Sequence, residues 1–134
     1  MIVIDANILI YSLIQCDQSP LVQNLREKDA DWITVALCLH ETLNVLATYQ
    51  RQAVLKLAQC RTLLSHAERF VKAAQREIPM DAALAVAAQF AITGYDAQYV
   101  ALAQSLNAPL ITEDRKLRNA VPRVAYSMRE YLAR

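Results

Sequence analysis

The sequence predicts an α/β fold in which a parallel sheet is covered by helices on both faces. Three observations predict it. Short β-rich runs at residues 1–4, 32–35, 78–79, 109–111 and 123–125 alternate with longer helical segments, the order that builds a parallel sheet. Helical segments dominate the length between those runs, as crossover connections require. One run stops at an acid, Asp5, and the polar exit of another ends in a second, Asp114; in open parallel sheets ligands bind beyond the carboxyl ends of strands. A chain of 134 residues fits one domain spanning 1–134, long enough to bury roughly two-thirds of its unfolded surface without staples.

Taken in order, the first run stops at Asp5, where a carboxylate is costly unless it caps, pairs or binds a cation. Residues 8–14 continue as an apolar helix. After a polar break, Ser19 caps a helix over 21–28 that has Pro20 at its first position. Residues 32–35 follow the acidic turn 29–31 as a second strand. Residues 36–50 form a helix with Leu37, Leu39, Leu43, Val45 and Leu46 around much of its circumference, and Glu41 lies among them. Residues 51–76 are amphipathic, with Arg51, Lys56, Arg61, Arg69, Lys72 and Arg76 on the polar side. Ser65-x-x-Glu68 reads as a capping box, which allows two helices there rather than one.

Ile78-Pro79 is a minimal third strand. Asp81 caps an Ala-rich helix over 82–93, which Gly94 ends. Asp96 starts the next helix, in which Tyr99, Val100, Ala103 and Leu106 recur at helical spacing and Asn107 supplies a left-handed stop. Residues 109–111 are a buried strand with Thr112, Glu113 and Asp114 as its polar exit. A turn of helix at 116–119, a last strand at 123–125 and a helical turn at 128–132 complete the chain.

Composition excludes several classes. The single glycine rules out phosphate-cradling Gly-rich loops of the P-loop or dinucleotide type. Cys16, Cys38 and Cys60 lack C-x-x-C spacing and make neither a disulfide framework nor a zinc site. His40 and His66 are isolated and read as structural. No apolar run reaches the ~18 residues of a membrane span, and the first residues lack the basic leader of a signal peptide, so a cytoplasmic protein is expected. The net charge of +1 conceals a sorting. Residues 1–50 carry two basic and six acidic residues, and residues 51–134 twelve and seven, a pattern that fits an acidic site beside a basic surface.

Four acids occupy special places: Asp5 after the first strand, Glu41 within a helix, Asp96 at a helix start and Asp114 after a late strand. Asp5, Asp96 and Asp114 each also have the plainer reading of a helix cap. Four carboxylates converging on one pocket would repel one another unless some protonate or a cation compensates. Hard oxygen ligands favour Mg2+ or Mn2+ over zinc, and such ions activate water and steady charge on a phosphodiester.

In three segments the chain resembles the PIN-domain ribonucleases, and within them the VapC-type toxins of type II toxin–antitoxin systems. The segments are VIDANILI at 3–10, HETLNVLATYQR at 40–51 and YDAQYVALAQSLNAPLITEDRKL at 95–117. The resemblance implies a sheet ordered 3-2-1-4-5 and a metal-dependent endoribonuclease. It places the family's acidic quartet on Asp5, Glu41, Asp96 and Asp114, as catalytic residues and metal ligands, with Asn7 and Thr112 supporting them. It also implies an RNA substrate and a small cognate antitoxin that offers Arg or Lys to the acidic pocket. The hydrophobic fraction of 55% against 20% charged residues predicts a homodimer.

Arg115, Lys116 and Arg118, directly after Asp114, are the candidate RNA-backbone contacts. Two positions depart from the family pattern: Ala6, where a hydroxyl residue is frequent, and Lys116, where a further acidic or amide group is frequent. The alternatives are a non-enzymatic binding module of the same fold and a receiver-type Mg-binding phosphoacceptor. The receiver would need paired acids after the first strand and an Asp ending the third, and neither is present.

Overall fold

The computed structural model covers residues 1–134. Its strands are Ile2–Ile4 (β1), Trp32–Ile33 (β2), Leu110–Ile111 (β3) and Ala125–Tyr126 (β4), all parallel, in the order β2-β1-β3-β4. Between them run Ala6–Leu13 (α1), Ser19–Lys28 (α2), Leu37–Arg51 (α3), Leu57–Ala74 (α4), Met80–Phe90 (α5), Gly94–Leu106 (α6), Arg115–Ala120 (α7) and Met128–Leu132 (α8). The result is the three-layer α/β/α architecture that strand–helix alternation implies.

The expected third strand at 78–79 is not formed. Pro79 has no N–H to give a ladder, and α5 starts at the next residue. The third position of the 3-2-1-4-5 order survives as a single parallel bridge between Thr34 and Gln75 on the outer edge of β2. There Arg76 N–H donates to Thr34 O at 2.9 Å and Thr34 N–H to Ala74 O at 3.2 Å.

Several boundaries also move. Ser65 and Glu68 lie inside α4, which runs unbroken, because nothing beside them interrupts the backbone ladder. The break falls at 52–56, where Ala53 takes the left-handed conformation at φ 56° and the Gln59 side chain accepts from Lys56 N–H at 2.8 Å. Ala91, at φ 55°, ends α5, and Gly94 opens α6 instead of closing the helix before it. Thr93 is the cap of α6, so Asp96 sits inside its first turn. Asp81 sits likewise inside the first turn of α5, and Ser19 is the first residue of α2. Asn107 does stop α6 in the left-handed region (φ 49°, ψ 41°).

One continuous apolar core joins β1, β2 and β3 to the inner faces of the helices. Helix α6 is buried on most sides, through Ala97, Tyr99, Val100, Ala101, Leu102 and Ala103, and packs on β1 and β3. α3 pairs with α4 and with α1. Those contacts set two helices, α3 and α6, beside the carboxyl ends of the two central strands.

Candidate active site

Register builds the centre of the site. β1 and β3 are neighbours, with Ile4 opposite Ile111, so the residues that leave the two strands, Asp5 and Thr112, emerge side by side. Asp5 caps α1, accepting from Ile8 N–H at 3.2 Å. Asp114 caps α7 in the same way, accepting from Leu117 N–H at 3.2 Å. Fully buried Thr112 links the two acids. Its Oγ1 accepts from Asp114 N–H at 3.1 Å, and its hydroxyl also serves the Asp5 carboxylate.

The helices bring the other two acids. Asp96 in the first turn of α6 is held by Thr93, whose Oγ1 accepts its N–H at 3.0 Å. Glu41 projects from α3, and the Tyr99 hydroxyl donates to its Oε1 at 2.5 Å. Asp5, Glu41, Asp96 and Asp114 all line one cleft of about 570 Å3, with Ala6, Asn7, Leu37, His40, Asn44, Val45, Tyr95, Tyr99 and Leu117. Capping and convergence are therefore both true of Asp5 and Asp114.

The electrostatics are those of an uncompensated acidic centre. No Lys or Arg lines the cleft. Burial pushes the Asp5 carboxyl up to about 6; the hydrogen bonds from Thr112 and Ile8 oppose this, and the charges of Glu41 and Asp114 add to it. Burial also raises Glu41, against the Tyr99 hydrogen bond and with the charge of Asp96. Asp96 is raised by burial and then by Asp114. A divalent cation would relieve all three.

The donors fit such a cation in kind, being carboxylate and amide oxygens with one imidazole and no thiolate. No three of the Asp, Glu, His and Cys side chains are drawn together tightly enough to enclose an ion. Mg2+ is ordinarily held through one or two carboxylates and retained water, and this looser arrangement fits that mode.

Asn7, on the first turn of α1, lines the cleft, whereas Thr112 lies beneath it as a hidden support. Arg115, Lys116 and Arg118 lie on α7 outside the lining. Arg118 is occupied within the protein: its Nη1 donates to Thr112 O at 3.0 Å and lies 3.7 Å from Glu113 Oε2. Arg115 and Lys116 are exposed. Sequence reasoning missed Tyr99 as a site residue, treating it only as part of an apolar helical pattern. Its spacing of three from Asp96, one turn along the same helix face, is the signal that could have found it.

With this geometry in place, the family is clear. The chain matches the PIN domain family over residues 2–121 and belongs to it. It is 28% identical over 125 residues to Ribonuclease VapC3 of Pyrobaculum aerophilum, spanning 90% of this chain and 95% of that one. Its fold is that of the crystal structure of PAE2754 from Pyrobaculum aerophilum, with a TM-score of 0.76, 98% of this chain and 92% of that one covered, and 23% identity.

Proposed function

We propose that this protein is a metal-dependent endoribonuclease and the toxin of a toxin–antitoxin pair. The observation that carries the reading is the convergence of Asp5, Glu41, Asp96 and Asp114, from four distant stretches of chain, on one cleft that no Lys or Arg lines. Membership of the PIN family and the likeness to a VapC ribonuclease support it.

In this reading Mg2+ or Mn2+ is held chiefly by Asp5 and Asp96, and it supplies activation of water and neutralisation of phosphodiester charge. Glu41 and Asp114 complete the ligand set or orient the attacking water. Asn7 offers its amide at the rim, and Thr112 keeps Asp5 and Asp114 in register. Hydrolysis leaves a 3′-hydroxyl and a 5′-phosphate. The partners are the RNA substrate, a second copy of the chain in a homodimer, and a small antitoxin whose Arg or Lys enters the acidic cleft. The place of action is the cytoplasm; no helix is long and apolar enough to cross a membrane.

The deciding experiment is Asp96→Asn. Turnover of RNA should fall by orders of magnitude while the fold stays intact. Undiminished cleavage by this variant, or full activity of the unmodified protein in excess chelator, overturns the reading.

A further inference from the structure

The acidic cleft raises a problem of substrate retention. Its walls carry four carboxylates and no Lys or Arg, so no permanent positive charge in them offsets the repulsion of a phosphate. A neutral nucleobase meets no such repulsion. The walls do hold a surface for one. Tyr95 stands one residue before Asp96, in the first turn of α6, and lines the same cleft. It is 65% exposed, although tyrosine ordinarily hides most of its ring.

The ring is also bare. Trp32, Tyr126 and Tyr131 each carry an Arg or Lys on a ring face, and Trp32 meets Phe70 edge-on, whereas no cation or aromatic neighbour covers Tyr95. The helix beneath it is anchored by the Thr93 cap and by a buried row from Ala97 to Ala103, so the ring is presented on a rigid base. On α3, Leu37 and Val45 add apolar surface to the cleft, and Asn44 adds an exposed amide.

We propose that Tyr95 is a stacking platform for an unpaired nucleobase flanking the scissile phosphodiester, with the Asn44 amide within the same cleft for the edge of that base. This rests on the ribonuclease reading and adds to it a residue that holds a base of the RNA. Bases in a duplex stack on one another and leave no free face, whereas an unpaired base stacks readily on an exposed aromatic ring. Stacking needs the ring and not the hydroxyl, and it tolerates any base, because every base has a π-face.

The test is binding of a short single-stranded RNA in Ca2+, followed by fluorescence anisotropy, for the unmodified protein, Tyr95→Phe and Tyr95→Ala. Tyr95→Ala should weaken binding by roughly 10-fold and Tyr95→Phe by less than about 2-fold, in line with the loss of one base–aromatic stack. Oligonucleotides made abasic at one position at a time supply the second arm. One such position should weaken binding to the unmodified protein by a similar factor and leave binding to Tyr95→Ala unchanged. Because Tyr95 is exposed, thermal melts and Mn2+-induced stabilisation should be the same in all three proteins.

Equal affinity of Tyr95→Ala and the unmodified protein overturns the stacking proposal while leaving the ribonuclease reading standing. So does a Tyr95→Phe variant as weak as Tyr95→Ala, or an abasic effect that persists in Tyr95→Ala. If the folded, unmodified protein neither binds nor cleaves RNA, the ribonuclease reading falls first and takes the stacking platform with it.

Discussion

Tyr99 on α6 and Glu41 on α3 are tied hydroxyl to carboxylate at 2.5 Å, across 58 residues of sequence. The tyrosine is 1% exposed and its own ionisation is pushed far up by burial, so it acts only as a donor. One oxygen of Glu41 is thereby engaged, and the other is free to serve the cleft. Tyr99→Phe keeps the ring packing and removes the donor. It should cost about 2 kcal/mol of stability, the ordinary net value of a hydrogen bond to a charged group. Because the bond holds the Glu41 carboxyl down, its loss should also move the acid limb of the RNA-cleavage profile upward and lower kcat more than it raises KM. An unchanged kcat and acid limb would show that the bond only supports packing.

Asp5 makes stability depend on pH in a defined sense. Its folded pKa, about 6, lies above the ordinary carboxylate value, so the folded state binds its proton more tightly than the unfolded state does. Its contribution is therefore fully present below about pH 4 and is lost as pH rises through about 6. Asp5→Asn keeps the α1 cap, since Asn caps as well as Asp, and removes the titration. Without metal, the variant should be more stable than the unmodified protein at pH 7, by about 3 kcal/mol. The gap should close toward pH 4. Denaturant melts across that range check it, and a gap independent of pH would contradict the assignment to Asp5.

A cation should reverse that penalty. Mn2+ or Mg2+ bound only to the folded state raises the melting temperature with concentration. The unmodified protein should show the rise at pH 7, and Asp5→Asn combined with Asp96→Asn should not. This readout is independent of cleavage. An equal rise in both proteins would place the ion elsewhere on the molecule.

The basic side chains left exposed after Asp114 are Arg115 and Lys116. If they hold the RNA backbone, the dependence of binding on salt should flatten by about 0.7 in logarithmic slope for each contact removed. Neutralising both in Ca2+ should leave Mn2+-induced stabilisation untouched. Arg118, committed to Thr112 O and Glu113, should behave differently: Arg118→Ala should lower the melting temperature before it alters the salt slope.

Much of the site was legible because its acids stand at places where an acid needs a reason. Asp5 follows an apolar run directly and Asp114 closes the short polar exit of another, and parallel pairing of β1 with β3 puts them at one sheet edge. Glu41 was harder to read, since a Glu in a helix usually faces water. Only the contact with Tyr99, 58 residues away, shows what keeps it at the cleft. The third strand was misread because Ile78 is apolar and β-branched; Pro79 and the α5 start at Met80 decide against it, and a lone bridge at Gln75 takes its place. The α5–α6 junction was misread because Gly is the usual helix stop. Here Ala91 accepts the left-handed turn and Thr93 supplies the cap. Arg118 looked like a surface cation, and nothing in its spacing announces the ion pair with Glu113.

Helix α6 carries Asp96 and Tyr99 toward the cleft while most of its remaining surface is sealed against β1, β3 and α5. Amide protons of residues 97–103 should accordingly exchange with solvent only through global unfolding, while those of the exposed 52–56 connection exchange within the earliest time points. Asp96, set by α6, and Asp5, set by the end of β1, would then keep their spacing for as long as the molecule is folded at all.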